Sequence, residues 1–538
     1  MAKRFGVMLD MSRNAVMKPS QVKEFAATIK KFGYNMIQLY TEDTYEIPEE
    51  PYFGYLRGRY SQAEMKDMVT YCESIGVELI PCIQTLAHLN QAFQWKPYQD
   101  IRDIDDILVV GEERTYELIE NMFRSLRACF STKYIHIGMD EAHNLGLGKY
   151  LDKHGFTNRF DIIYNHLKRV IELAKKYDFT PIMWSDMFFR LANKGTYYVD
   201  DISIITDEVV NACPEGVELV YWDYYSDEKQ HFDNMFDAHA KFKGETWFGG
   251  GIWTWSGFAP NNLWSLDSMT PAMASCREKN VDNIFMTMWG DNGGECSFWS
   301  VLPSLYATRR IYDGVTDMEQ IKKEFFELTG ENFDSMMLMD LPVDLGKVSR
   351  RNNSSSKFML YNDAFLGFLD GSMPEGGKEQ YAALAEKLSA LAGTNTCFAY
   401  IYDSLSALCT AVSQKYDLGL RTRAAYKAND KEALTALLGD YESTLDAVED
   451  FVEKFRVLWF TENKPHGFDV QEQRLGGLIL RLYSQRRRLQ DYLEGKVESI
   501  PELEEEILPY NGSAAADAKS DIPRLNAWSK SATVNIMG

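Results

Sequence analysis

The chain has 538 residues, 45% hydrophobic and 25% charged, the balance of a globular protein long enough for a large domain and one more. Lys and Arg number 57 against 79 Asp and Glu, a net charge of -22 that disfavours nucleic acid or anionic membrane as the main partner. The opening MAKRFGVMLD lacks the apolar core of a secretory signal, and no window of about 18 apolar residues exists to span a bilayer.

Short apolar runs alternate with stretches of helical spacing through the first 315 residues. The runs predict strands at 5–9, 36–40, 77–83, 134–137, 180–184, 217–222, 246–253 and 283–289. Helices are expected between them at 19–32, 61–75, 112–129, 160–177, 228–242 and 267–279, with 299–312 after the last strand. Ser20 and Ser61 read as N-caps, and Glu64 three residues after Ser61 completes a capping box. The crossover 185–216 is long, with a poorly marked helix near 200–211. Eight strands joined by crossovers imply an α/β fold, a closed parallel (β/α)8 TIM barrel over residues 1–315.

Beyond the barrel the strands stop. MEQIKKEFFELTG reads as a helix closed by Gly330, residues 316–355 as a connecting segment that is irregular from 331, and RRNNSSS as a hinge. Residues 356–538 form an all-helical C-terminal domain whose tail after 508 is mostly loop, with packing or homo-oligomer formation as its expected use. The eight cysteines are scattered without a CxxC pair, which points to reduced thiols and a cytoplasmic setting.

In a parallel barrel the functional groups gather at the C-terminal ends of the strands. Here those ends carry Arg13 (LDMSRN), Asp43 (QLYTEDTYE), His88 (PCIQTLAH), Asp140 and Glu141 (HIGMDEA), and Trp184 (MWSDMF). Later strands add Trp222 and Tyr224 (VYWDYY), Trp253 and Trp255 (GGIWTWSGF), and Trp289 and Asp291 (MWGDNGGE). A ring of indoles around a few acids, an Arg and a His suits a pyranose: C–H faces pack on indole while hydroxyls meet charged groups. His136, alternating within its strand, reads as a packed histidine.

Asp140 and Glu141 are adjacent, and neighbouring carboxylates repel. Such a pair can raise the pKa of one acid for proton delivery, and Gly138 with a loop exit could turn both side chains into one pocket. Two acids one position apart are badly placed to work from opposite faces of a sugar ring, so the attacking group is left open.

HIGMDEA, with LDMSRN, TLAH, MWSDMF and MWGDNGGE in order over residues 1–315, resembles glycoside hydrolase family 20, the β-N-acetylhexosaminidases. The resemblance implies substrate-assisted catalysis, in which the 2-acetamido oxygen of the sugar attacks the anomeric carbon and forms an oxazolinium; this family is a recognised exception to the two-carboxylate scheme. Glu141 then resembles the general acid and later base, and Asp140 the acceptor of the acetamide N–H. Arg13 would meet the 3- and 4-hydroxyls, Asp291 the 4- or 6-hydroxyl, and Trp184, Trp222 and Trp289 would form walls, with His88 and Asp43 supporting the acid site. The sequence departs from the family at strand seven, where a Tyr is common; Tyr224 on strand six could supply that hydroxyl. The N-terminal accessory domain common in the family is not expected, because the first strand begins near residue 5.

The implied activity is exo-acting, retaining removal of terminal β-linked N-acetylglucosamine or N-acetylgalactosamine from glycans, with no cofactor and no metal. Two rivals remain at this stage. A metal-dependent hydrolase would use His88, His136, Asp140, Glu141 and His143, although no His-x-His or His-Glu-x-x-His spacing occurs. A non-catalytic sugar-binding protein would keep the pocket without turnover.

Overall fold

The computed structural model describes residues 2–344, 355–394, 397–510, 512 and 526–536. Eight parallel strands close into a barrel in sequence order. They are β1 (Arg4–Asp10), β2 (Met36–Tyr40), β3 (Glu78–Cys82), β4 (Tyr134–His136), β5 (Thr180–Trp184), β6 (Glu218–Trp222), β7 (Thr246–Gly251) and β8 (Asn283–Met288). The β1–β8 pairing, Arg4 opposite Asn283 through Leu9 opposite Met288, closes the ring.

The crossovers are helical where the apolar period is strong. Pro19–Lys31, Gln62–Ser74, Glu113–Arg127, Arg159–Lys176 and Lys229–His239 bury one stripe each on the barrel. Ser61 makes the capping box, its side chain accepting from Glu64 N while Glu64 accepts from Ser61 N. Ser20 does not cap: Pro19 already occupies the first turn and Lys18 is the flanking residue.

Two helical expectations shift. The helix expected at 267–279 runs Asn262–Glu278, capped by the Asn261 side chain on Trp264 N. Buried Ser265, Ser268 and Ser275 blur its polar face and hide its start from the sequence. The 185–216 crossover holds three short pieces, Asp186–Ala192, Ile202–Ile204 and Asp207–Asn211, in place of one packed helix.

Aromatic rings fill the barrel interior. Tyr134 of β4 meets Trp247 of β7 at 5.4 Å between centroids, Trp247 meets Phe285 of β8 at 6.4 Å, and Phe285 meets Trp184 of β5 at 5.7 Å. Trp184 is 6.1 Å from Trp289 at the mouth, so one stack runs from floor to opening. His136 packs against Trp184 at 4.5 Å, and burial lowers its imidazole to about 3, so it is neutral. Strand β7 ends in three glycines because packed neighbours, aromatic at Gly249 and Gly251 and methionine at Gly250, fill the space a side chain would need. A Cβ on Gly249 would lie 3.0 Å from the Trp184 ring, and one on Gly251 would lie 2.4 Å from Tyr224 Cβ.

After the barrel the described chain is helical. Met318–Thr329 ends on left-handed Gly330, as its sequence predicts. The stretch after 331, expected to be irregular, holds short helices at Phe333–Met337 and Leu341–Asp344, the first capped by Asn332 on Ser335 N. Most of the hinge motif RRNNSSS lies outside the described residues, and its last two serines open the helix Ser355–Tyr361. The main helices that follow are Gly377–Thr394, Ala399–Lys415, Leu418–Lys427, Lys431–Glu462 and Phe468–Leu493. Much of the expected loop after 508 is likewise outside the described residues, and Trp528–Ala532 within it is a short helix. Among the described residues, no helix is long and apolar enough to cross a membrane.

The helical region grips the barrel mouth. Asn463 bridges Met17 after β1, with Lys18 N donating to Glu462 O and Lys464 N to Val16 O. Behind the loop after β8, Lys357 and Arg474 both donate to Asn292 O and both pair with buried Glu295, at 2.7 and 3.2 Å. Gln471 donates to Gly293 O, Trp528 N to Asn292 Oδ1, and Asn526 to Trp255 O on the loop after β7.

Candidate active site

The barrel mouth opens into a cavity of about 140 Å³ lined by Arg13, His88, Asp140, Glu141, Trp184, Trp222, Tyr224, Tyr225, Trp255, Trp289 and Asp291. All but two of the residues singled out from sequence are on this wall. Asp43 is buried behind it and pairs with Arg57 at 3.2 Å. Trp253 is also buried behind it, stacked on Trp255 at 4.5 Å and donating its indole N–H to Tyr224 O. A larger cavity of about 500 Å³ lies in the helical region, but its charged groups are spent on one another or on the backbone: Arg481 on Asp363, Arg474 on Glu295, Lys415 on carbonyls.

The adjacent acids both reach the mouth because the chain leaves β4 through a left-handed turn. Gly138, Met139 and Glu141 have φ of 70°, 72° and 52°. Gly138 cannot carry a side chain, since a Cβ would sit 2.1 Å from Gln84 Oε1. Gln84 occupies that space because it donates to Asp140 Oδ1 at 2.7 Å. His88, also left-handed at φ 56°, places Nε2 3.2 Å from Asp140 Oδ2 and 3.8 Å from Glu141 Oε2. Such backbone strain concentrates where side chains must be aimed against local preference.

The two acids differ in environment. The Asp140 side chain is 12% exposed, whereas the Glu141 side chain is 41% exposed. Burial alone would raise Asp140, but His88 and the Gln84 hydrogen bond outweigh it and hold the carboxylate down to about 2. Burial alone would lower His88, yet Asp140 outweighs it and raises the imidazole to about 10. The pair is therefore ionised near neutrality.

At the sugar-binding end proposed from sequence, Arg13 Nη1 is 3.2 Å from both Asp10 and Glu42 and faces the Tyr40 and Trp289 rings at 5.1 and 5.3 Å. Asp291 stands at the rim in contact with solvent, so the upward push of burial on its carboxyl, opposed by Arg13, is partial. Trp222 stacks on Tyr224 at 5.3 Å, and Trp289 Nε1 donates to the Tyr224 hydroxyl at 3.1 Å.

Sequence reasoning gave no role to four polar groups here. Glu42 pairs with Arg13, and Gln84 orients Asp140. Asp186 accepts from Glu141 N at 3.2 Å and from Arg190 Nε at 2.9 Å, and Arg190 Nη2 is 3.5 Å from Glu141 Oε1. The signal was present: Asp186 is in the motif MWSDMF, and Arg190 follows it at helical i+4 spacing. Burial, reinforced by Asp140, pushes the Asp186 carboxyl up to about 7.

His88, Asp140 and Glu141 also bring one ligand atom each within 4.8 Å of one another. A cation there would have to displace the proton that Asp140 holds on His88.

Comparison with known proteins agrees with this architecture. Residues 5–247 match the model of the glycosyl hydrolase family 20 catalytic domain, and residues 331–522 match the glycoside hydrolase 20C C-terminal domain. Hexosaminidase D of Bos taurus is 24% identical over 267 residues, covering 47% of this chain and 70% of that protein. The Homo sapiens hexosaminidase D is 25% identical over 237 residues, covering 42% of this chain and 46% of its own length. A solved family 20 exo-β-N-acetylglucosaminidase of Vibrio harveyi is 14% identical with a TM-score of 0.47, covering 61% of this chain and 58% of that one. With models of one family matching residues 5–247 of the barrel and 331–522 of the helical region, the chain belongs to glycoside hydrolase family 20.

Proposed function

We propose that the protein is an exo-acting, retaining β-N-acetylhexosaminidase that takes terminal β-linked N-acetylglucosamine or N-acetylgalactosamine from glycans by substrate-assisted catalysis. The observation that carries this reading is the unequal acid pair. Asp140 is buried and held ionised by His88 and Gln84, while Glu141 beside it reaches the open cavity.

In this mechanism Asp140 accepts the acetamide N–H and steadies the positive charge that grows on nitrogen as the acetamido oxygen closes on the anomeric carbon. Glu141 gives its proton to the leaving oxygen, then takes one from the water that opens the oxazolinium. The Tyr224 hydroxyl accepts from Trp289, which leaves its own proton for the acetamido oxygen. Burial raises its pKa well above the ordinary phenol value, so it stays a neutral donor. Trp184, Trp222, Trp255 and Trp289 supply walls, and Arg13 and Asp291 the hydroxyl contacts. A cytoplasmic setting fits the buried thiols of Cys72, Cys82, Cys276 and Cys409, which sit in apolar packing.

The test compares a chromogenic β-N-acetylglucosaminide with the matching β-glucoside, which lacks the internal nucleophile. Turnover of the first alone, with the β-anomer released first by NMR, is the expected result. Equal turnover of both would reject substrate assistance, and tight binding without turnover would make the chain a lectin. The cluster of His88, Asp140 and Glu141 earns one control: activity should survive exhaustive chelation, and loss restored by a divalent ion would favour a metallohydrolase.

A further inference from the structure

The short helix Asp186–Ala192 lies in the poorly marked crossover after β5 and contacts the candidate acid from behind. Its two charged residues bracket Glu141. Asp186 Oδ2 holds the Glu141 backbone N–H at 3.2 Å, which fixes a residue whose φ is 52°. The same oxygen takes Arg190 Nε at 2.9 Å, and Arg190 Nη1 donates to Gly195 O at 3.1 Å. So anchored, Arg190 puts Nη2 3.5 Å from Glu141 Oε1, while Oε2 looks toward the cavity and His88. Asp186 is fully buried, and its Oδ1 has no hydrogen-bond partner among the described residues. Burying a carboxylate with one oxygen unmet is costly.

We propose that Asp186 and Arg190 are positioning residues for the acid step, Arg190 stabilising the carboxylate that forms on Glu141 as its proton leaves and Asp186 holding both partners in register. The proposal rests on the hydrolase reading above. The proton moves from Glu141 to the glycosidic oxygen as the C1–O bond breaks and the acetamido oxygen bonds to C1. Negative charge appears on the carboxyl at that moment, and a cation already in place needs no reorganisation to meet it. Asp140, His88, Tyr224 and Asp291 also face Glu141, but Arg190 is the group set against the oxygen turned away from His88.

The test exploits leaving groups. A dinitrophenyl leaving group departs without a proton, whereas phenol needs one. For Arg190→Gln and Asp186→Asn, kcat/KM on the phenyl β-N-acetylglucosaminide should fall at least about tenfold, and on the dinitrophenyl analogue less than about threefold. Arg190→Lys should recover most of the phenyl rate, and melting temperatures check that each variant folds. Equal losses on both substrates, or none on either, would overturn the proposal. A parent enzyme inert on both would overturn the hydrolase reading and this proposal together, whereas an active parent whose variants keep the parental ratio overturns this proposal alone.

Discussion

Tyr224 contributes one hydroxyl to the mouth, and its neighbours decide which way the hydrogen points. Trp289 already donates to the oxygen, and the backbone carbonyl of Tyr224 receives the indole N–H groups of Trp253 and Trp264. The ring is thus held at both ends. Tyr224→Phe should lower kcat about 100-fold, the scale of losing one aimed donor, while unpairing the Trp289 N–H costs only about 1 kcal/mol of stability. A kcat within threefold of the parent, read from steady-state kinetics, would remove Tyr224 from the chemistry. Its shared side-chain parity with Trp222 was legible from sequence. Asp186 and Arg190 were given no role because candidates were taken at the strand ends, and these two lie on the short helix just past β5.

At the scale of elements, strand β7 shows how a sheet makes room for a site. Its glycines are fully enclosed yet carry ordinary extended backbone, so volume alone demands them. Gly251→Ala would drive a methyl to within 2.4 Å of Tyr224 Cβ, an atom near the backbone that cannot swing aside. We expect kcat to fall at least about tenfold and stability to drop by about 1–3 kcal/mol, measured by kinetics and denaturant unfolding. An unchanged kcat would mean that Tyr224 tolerates displacement. The strands were readable because each is a short apolar run between turn residues, and the closed parallel barrel followed from their count and the crossovers between them. The start of the helix at Asn262 was not, since buried serines stand where the pattern expects a polar face.

Across the whole molecule, the helical region shares polar contacts with the loops after β1, β7 and β8. Those long-range bonds join residues hundreds of positions apart, which is why sequence suggested only packing or oligomer formation for the helices and not a brace at the barrel mouth. One of the bonds reports on pH. Glu462 is 2% exposed and takes both Ser297 Oγ and the Tyr400 hydroxyl on the same oxygen, at 2.5 and 3.0 Å. Burial raises its carboxyl from 4.5 to about 7, against those two hydrogen bonds. A carboxyl with a raised folded pKa favours the native state most below its unfolded value and loses that advantage as pH climbs through the folded one. Glu462→Gln keeps the accepting oxygen and removes the charge, so its melting temperature should exceed the parent's at about pH 8 and match it near pH 4.5. A variant less stable than the parent at both pH values would show that the ionised form is the one the junction prefers. The order of synthesis gives these contacts a further meaning. A ribosome completes β8 at Met288, yet Gln471, Arg474 and Trp528, which brace its following loop, are still untranslated. A nascent barrel can close early and still hold a slack rim, so hydrolysis is expected to switch on only when the final helices emerge and dock.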